Sequence, residues 1–177
     1  MTHAFLLVSA VVCLMGDPLM GDPVAADDAD ALKKYTDEEI IKIDSGLFFQ
    51  RLSEPEEGYN VYAAPWALGK KCLLDPDVAL AILNRATDIY YDGHNEFQRR
   101  QCLILFTESK AQVTLPIVLD ALHNDDSEHV RSLAAYCIPF YGPTPRAIDS
   151  LRRALKKEQN KKVLASMKRA LDRMENR

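Results

Sequence analysis

The sequence predicts an all-α protein, a short α-solenoid of helical hairpins, with three hairpins between about residues 77 and 174. Three observations predict it. Apolar residues recur at three- and four-residue spacings in successive segments. Cap and turn chemistry bounds those segments. The whole pattern also repeats at a fixed period. Val130, Ala134, Cys137, Ile138 and Tyr141 recur 33 residues later as Val163, Met167, Ala170, Leu171 and Met174, and 32 residues earlier as Gln98, Cys102, Leu105, Phe106 and Ser109. The helices between them keep the same step: Leu115, Val118 and Leu122 match Ile148, Leu151 and Leu155, and also Leu83, Ala86 and Tyr90. Two kinds of helix sharing one period mean stacked units, each too small to bury its apolar face alone.

The elements follow in order. Thr36-Asp37-Glu38-Glu39 reads as a capping box, starting a helix that carries Ile40, Ile43, Leu47 and Phe48 on one face and runs to about Leu52. Ser53–Asn60 is polar, with Pro and Gly, and reads as a loop. Pro65 suits a helix N1 position. A short helix from there to about Leu74 carries Trp66, Cys72 and Leu73, with Gly69 inside it. Asp75-Pro76 starts the next by N-cap and N1 chemistry, with Leu80, Leu83, Ala86 and Tyr90 on one side. Residues 91–95 break it, and Glu96 to about Ser109 follows. Thr114 is read as the cap of Leu115–Leu122, and His123–Ser127 as the turn into Glu128 to about Tyr141. Pro139 is expected to kink that helix or end it early. Gly142-Pro143 stops it, and Thr144-Pro145 starts the next. Asn160 separates that helix from the last one. In the middle unit Val130, Leu133, Ala134 and Ile138 are expected to form the buried stripe, with Ser132 on the outer face.

The turn chemistry carries a resemblance. Val118–Gly142, VLDALHNDDSEHVRSLAAYCIPFYG, resembles a HEAT-like repeat of the short kind also found in phycobilisome-lyase relatives. Asp125-Asp126, Val130-Arg131 and Ala134-Ala135 match that pattern. The first unit has Gln98-Arg99 at the corresponding place, and the third has Val163-Leu164. The resemblance covers about Asp77–Met174 and implies an α-solenoid; it is nearly silent on function. The tryptophan–leucine–glycine–tyrosine pattern of tetratricopeptide units is absent.

Outside the repeat, residues 36–74 read as an N-terminal helical segment, a divergent hairpin, and 75–177 as the HEAT-like domain. Residues 1–26 read as a signal peptide. Ala4–Met15 is an apolar run of h-region length, too short to span a bilayer, and Val24-Ala25-Ala26 fits a small-residue cleavage site, although the n-region has no Lys or Arg. The stretch between them repeats LMGDP at 14–18 and 19–23. Residues 27–35 form an acidic leader. The expected location is therefore outside the cytoplasm, periplasmic or extracellular; a true start at Met15 or Met20 would make it cytoplasmic. Cys72, Cys102 and Cys137 remain after cleavage, an odd number that completes no disulfide framework. Cys102 and Cys137 sit at apolar positions, as buried free cysteines do.

No P-loop, G-x-S-x-G, Rossmann glycine pattern, H-E-x-x-H or C-x-x-C occurs, so no catalytic residue, cofactor or metal ligand is assigned. His123, Asp125, Asp126 and His129 cluster in one turn, with Asp92 and His94 in the equivalent turn before it. Such groups can hold a divalent metal, but capping accounts for the same polar turn. HEAT-like proteins that bind catalytic iron use His-Glu pairs, and Glu128-His129 has the reverse order. Charge is uneven: residues 1–145 carry 11 Lys/Arg against 22 Asp/Glu, and residues 146–177 carry 11 against 4. The basic end, including RRALKKEQNKK at 152–162, suits an anionic surface. It lacks the aromatic interleaving that stacking on single strands requires. The expected function is a non-catalytic protein–protein interaction or scaffold module whose partner is another protein. Two alternatives stand beside it: an enzyme or metal-binding auxiliary protein using the His/Asp turns, and a cytoplasmic nucleic-acid-binding solenoid using the basic end.

Overall fold

A computed structural model describes residues 36–53, 63–93 and 95–176. The expected signal peptide and acidic leader (1–35), the expected loop apart from Ser53, and His94 lie outside the described residues. Within them the chain is all-helical, with no strand. The α-helices are α1 (Asp37–Ile41), α2 (Ser45–Ser53), α3 (Ala63–Leu74), α4 (Pro76–Asp92), α5 (Glu96–Ser109), α6 (Leu115–Asn124), α7 (Glu128–Cys137), α8 (Pro145–Lys157) and α9 (Lys161–Glu175). Short 3-10 turns lie at Gln112–Thr114 and Ile138–Tyr141.

Local chemistry explains most boundaries. Thr36 and Glu39 form the reciprocal capping box. Asn95, Ser127, Thr144 and Asn160 each accept backbone N–H bonds in the first turn that follows them, satisfying donors a helix start leaves open. Pro139 has no N–H to continue the i→i−4 ladder, and α7 tightens there into the 3-10 turn. Gly142 then reverses the chain at φ +89°, a region open to glycine.

Five expectations are corrected. The helix from Thr36 is two helices: the Asp44 carboxylate accepts from Gly46 N at 2.8 Å and Leu47 N at 3.2 Å, capping a new start at Ser45. Pro65 is the third residue of α3, still within the first turn, where its missing N–H costs nothing. Asp75 precedes α4 but makes no side-chain cap bond. Thr114 does not cap α6 either; its hydroxyl reaches Ala111 O at 2.8 Å and the Tyr141 hydroxyl at 2.9 Å. Leu80 is 65% exposed, and the buried face of α4 is Ile82, Leu83, Ala86, Ile89 and Tyr90.

Helices pair as α4 with α5, α6 with α7 and α8 with α9, and the second members α5, α7 and α9 pack on one another in that order. α3 packs along α5, while α1 rests on α3 and α2 on α4. One continuous apolar core runs from Phe48 to Met174. It includes Val130, Leu133, Ala134, Cys137, Ile138 and Tyr141, the stripe the periodicity predicts. α5, with neighbours on three sides, is buried at every residue from Gln101 to Thr107.

Gly69 explains the closeness of α3 to α5. A Cβ there would lie 2.3 Å from Glu108 Cβ and 2.8 Å from Leu105 O. Glycine inside a helix ordinarily costs about 1 kcal/mol relative to alanine. Here the sign reverses, because backbone must move to admit the methyl. Gly69→Ala is expected to destabilise the fold by about 2 kcal/mol, the scale of core overpacking, as read by urea denaturation. A stabilised variant would show that α3 and α5 are not in close register.

Candidate interaction surface

The hairpin turns line up along one edge, and a repeated pair of contacts joins each unit to the next. In the first turn of α5, Arg99 donates from Nε to Asp125 Oδ2 at 2.8 Å and from Nη2 to Asp125 Oδ1 at 3.0 Å. The N-cap of α7, Ser127, donates back to Glu96 at 2.6 Å. One unit later Arg131 donates from Nε to Glu158 Oε2 at 2.7 Å, and the N-cap of α9, Asn160, donates back to Glu128. Arg131 Nη1 also reaches the carbonyls of Asp125 and Asp126, both at 3.0 Å, so the two rungs touch.

The acceptors are not ordinary surface carboxylates. The Asp125 side chain is 3% exposed and that of Glu158 8%. The Tyr90 hydroxyl donates to Asp125 at 3.1 Å; burial, and then the Asp125 charge, push its ionisation well above the ordinary range. The hydrogen bond from Arg131 holds the Glu158 carboxyl below its usual value. The ladder stops at both ends of the repeat. Gly93 stands two residues before the α5 N-cap, where later units have Asp125 and Glu158. A Cβ there would lie 2.3 Å from Ile89 O. In the third unit Leu164 replaces the arginine, and Lys161 replaces the glutamate. This ladder was missed from sequence, although Arg-to-acid spacings of 26 and 27 residues and Glu-to-N-cap spacings of 31 and 32 recur in it.

The His/Asp turn disperses accordingly. Asp125 and Asp126 both engage Arg99. His123 Nε2 lies 2.7 Å from Ser150 Oγ, bridging α6 to α8, and burial, then Arg153 and Lys157, disfavour its charged form. His129 and Asp92 are exposed and apart from it. Among the described residues no three His, Cys, Asp or Glu side chains converge. An open depression of about 450 Å³ lies here, lined by His123, Asp125, Arg131, Lys157, Glu158 and Asn160. Apart from Lys157, these side chains already have partners: His123 with Ser150, Asp125 with Arg99, Arg131 with Glu158, and Asn160 with Glu128. Cys72, Cys102 and Cys137 are free and buried. Burial pushes the thiols of Cys102 and Cys137 up to about 12, which disfavours the thiolate a nucleophile needs.

Two other surfaces remain. Trp66 from α3, Glu108 from α5, Tyr136 from α7 and Phe140 just beyond it line a narrow crevice. The Tyr136 and Phe140 ring centroids are 5.4 Å apart, and the Arg173 guanidinium of α9 sits 5.7 Å from the Tyr136 ring. On α8 and α9 every Lys and Arg from Arg146 to Arg173 is exposed; Arg152 pairs with Glu175 at 2.7 Å. No helix among the described residues is long and apolar enough to cross a membrane. No family model, curated protein or solved structure matches the chain.

Proposed function

We propose that residues 75–177 are a short α-solenoid of HEAT-like hairpins that, with α3 packed along it, acts as a non-catalytic protein-binding module, exported as the N-terminal sequence suggests, with the face of α3, α5, α7 and α9 as the docking surface. The observation that carries this reading is the aromatic crevice to which the successive second helices contribute. Partly exposed aromatic side chains on a rigid face are what protein anchors commonly use, and the Arg/acid ladder ties together the starts of the helices α5, α7 and α9 that present that face. The HEAT-like turn pattern and the 32- to 33-residue period support the solenoid geometry. The His/Asp turns support an enzyme or metal-binding reading less well, because Arg99 already neutralises Asp125 and Asp126.

The full chain is to be panned against a displayed random-peptide library, and the footprint of the selected peptides mapped by amide hydrogen exchange. Protection is expected in α3, α5 and α7 around Trp66 and Tyr136. Selection of acidic peptides protecting only α8 and the outer face of α9 would replace this reading with an anion-binding basic end, which the exposed lysines there favour as the second reading. Recovery of no saturable binder would overturn the peptide-docking reading.

A further inference from the structure

We propose that the mouth of the crevice between α3, α5 and α7 seats an arginine side chain of the partner protein, its guanidinium lying over the rim formed by Trp66, Tyr136 and Phe140 with Glu108 as counter-charge. The proposal rests on the docking face argued above and gives it a ligand chemistry.

Glu108 makes the case electrostatically. Its carboxylate has no hydrogen-bond or ion-pair partner among the described residues, although the side chain is half-buried between α3 and α5. Burial raises its ionisation above the usual carboxylate range, and Lys110 opposes this only in part. A partly buried carboxylate without a partner is costly to keep charged, and a cation arriving from outside offsets that cost. Glu108 also lies in the last turn of α5, where unsatisfied carbonyls and the helix dipole favour positive charge. The side chain and the helix end therefore attract the same sign.

The rings decide which cation. Aromatic faces attract cations within about 6 Å of the ring centroid, and Tyr136 already carries one from this chain, Arg173. Phe140, 44% exposed, leaves a ring within reach of a second. The crevice itself holds only about 10 Å³, about the space one water needs, so no cation enters it and one docks flat over its open mouth. Arginine suits that seat, because its planar guanidinium stacks on aromatic faces while lysine acts as a compact point charge. So small a contact cannot bind a free metabolite tightly. It suits one anchoring residue of a larger interface, the role arginine often fills.

Trp66 is the chain's single tryptophan, so its fluorescence reports on this crevice alone. The full chain is to be titrated with N-acetyl-arginine amide and with the neutral isostere N-acetyl-citrulline amide. The arginine probe is expected to give a saturable millimolar response, and the citrulline probe one at least tenfold weaker. Glu108→Gln should erase that preference, weakening arginine about tenfold, with a melting temperature no lower than that of the unchanged chain. Phe140→Ala, at an exposed ring, should weaken the arginine probe as well. Equal responses to the two probes, no saturable response to arginine, or unaltered arginine binding by Glu108→Gln would overturn the proposal. Library peptides footprinting on α3, α5 and α7 without arginine enrichment would leave the docking face standing while this inference fell. Peptides footprinting elsewhere would remove the docking face itself.

Discussion

Replacing Arg131 by leucine is expected to lower the unfolding free energy by about 3–5 kcal/mol, the range for removing one partner of a buried ion pair. The magnitude follows from what is left behind. Glu158, 8% exposed, would keep only the amides of Gln159 and Asn160, each at 2.9 Å. The carbonyls of Asp125 and Asp126 would lose a donor. Arg131→Lys should recover only part of the loss, since an ammonium cannot bond the carboxylate and both carbonyls in the planar fork that arginine supplies. Arg99→Leu should behave similarly, because it leaves Asp125 with only the Tyr90 hydroxyl and the Ser127 amide. Leu164→Arg, at the corresponding half-buried place in the third unit, should cost about 1 kcal/mol, near the centre of measured substitutions. Acid provides an independent check. The folded-state value for Glu158 lies below its ordinary 4.5, so its contribution is complete above that ordinary value. It is lost as pH falls through the lower folded-state value. The acid limb should therefore be shallower in Arg131→Leu, because its folded state depresses Glu158 less, through the Gln159 and Asn160 amides alone. A cost below about 1 kcal/mol for Arg131→Leu would show that the rung is an ordinary surface pair.

The parts of the fold legible in the sequence are those governed by short-range chemistry. Thr36 and Thr144 announce helix starts because a side-chain oxygen satisfies amides two or three residues away, and Pro139 ends α7 for an equally local reason; Asn95 and Asn160, read only as breaks, cap the helices after them in the same way. The buried stripe of α7 was legible because a 3.6-residue period leaves few ways to hide Val130, Leu133, Ala134 and Ile138 together. What escaped depends on neighbours far along the chain. Gly69 looked like a weakness in α3 because its reason, Glu108, lies 39 residues away. Leu80 continued an apolar row, yet α4 presents Ile82 and Ile89 inward. Asp44 escaped although it is local: the Ile40–Phe48 row spans it, so periodicity hid the break. The candidate site was read even less well. The His/Asp turn drew notice for its ligands, whereas its carboxylates serve Arg99. Glu108 and the aromatic crevice combine three helices, and no spacing within one helix announces them.

Leu133→Ala is expected to cost about 3 kcal/mol, within the roughly 2–5 kcal/mol range for buried leucine truncation, and to lower the melting temperature by about 10 °C in a domain of this size. Leu133 is 3% exposed on α7, the helix that packs against α5, α6 and α9 together, so no single neighbour can collapse into the space it vacates. Leu171, on α9, is only half-buried, and Leu171→Ala should cost about 1 kcal/mol, near the centre of measured substitutions. Ser132 needs a corrected expectation. Its position one residue along the helix suggests an outer face and no effect. Its hydroxyl instead lies 2.8 Å from that of Ser166 across the α7–α9 contact, and Ser166 is 6% exposed. Ser132→Ala should therefore cost about 1 kcal/mol, the penalty for stranding a buried hydroxyl. Leu133 also borders the crevice, so its truncation should alter Trp66 fluorescence in the folded state, which Leu171→Ala should not. Thermal melts followed by circular dichroism would rank the three variants. Leu133→Ala proving no more costly than Leu171→Ala would mean that α7 is not the packed centre of the repeat, and the phase assigned to every unit would fall with it.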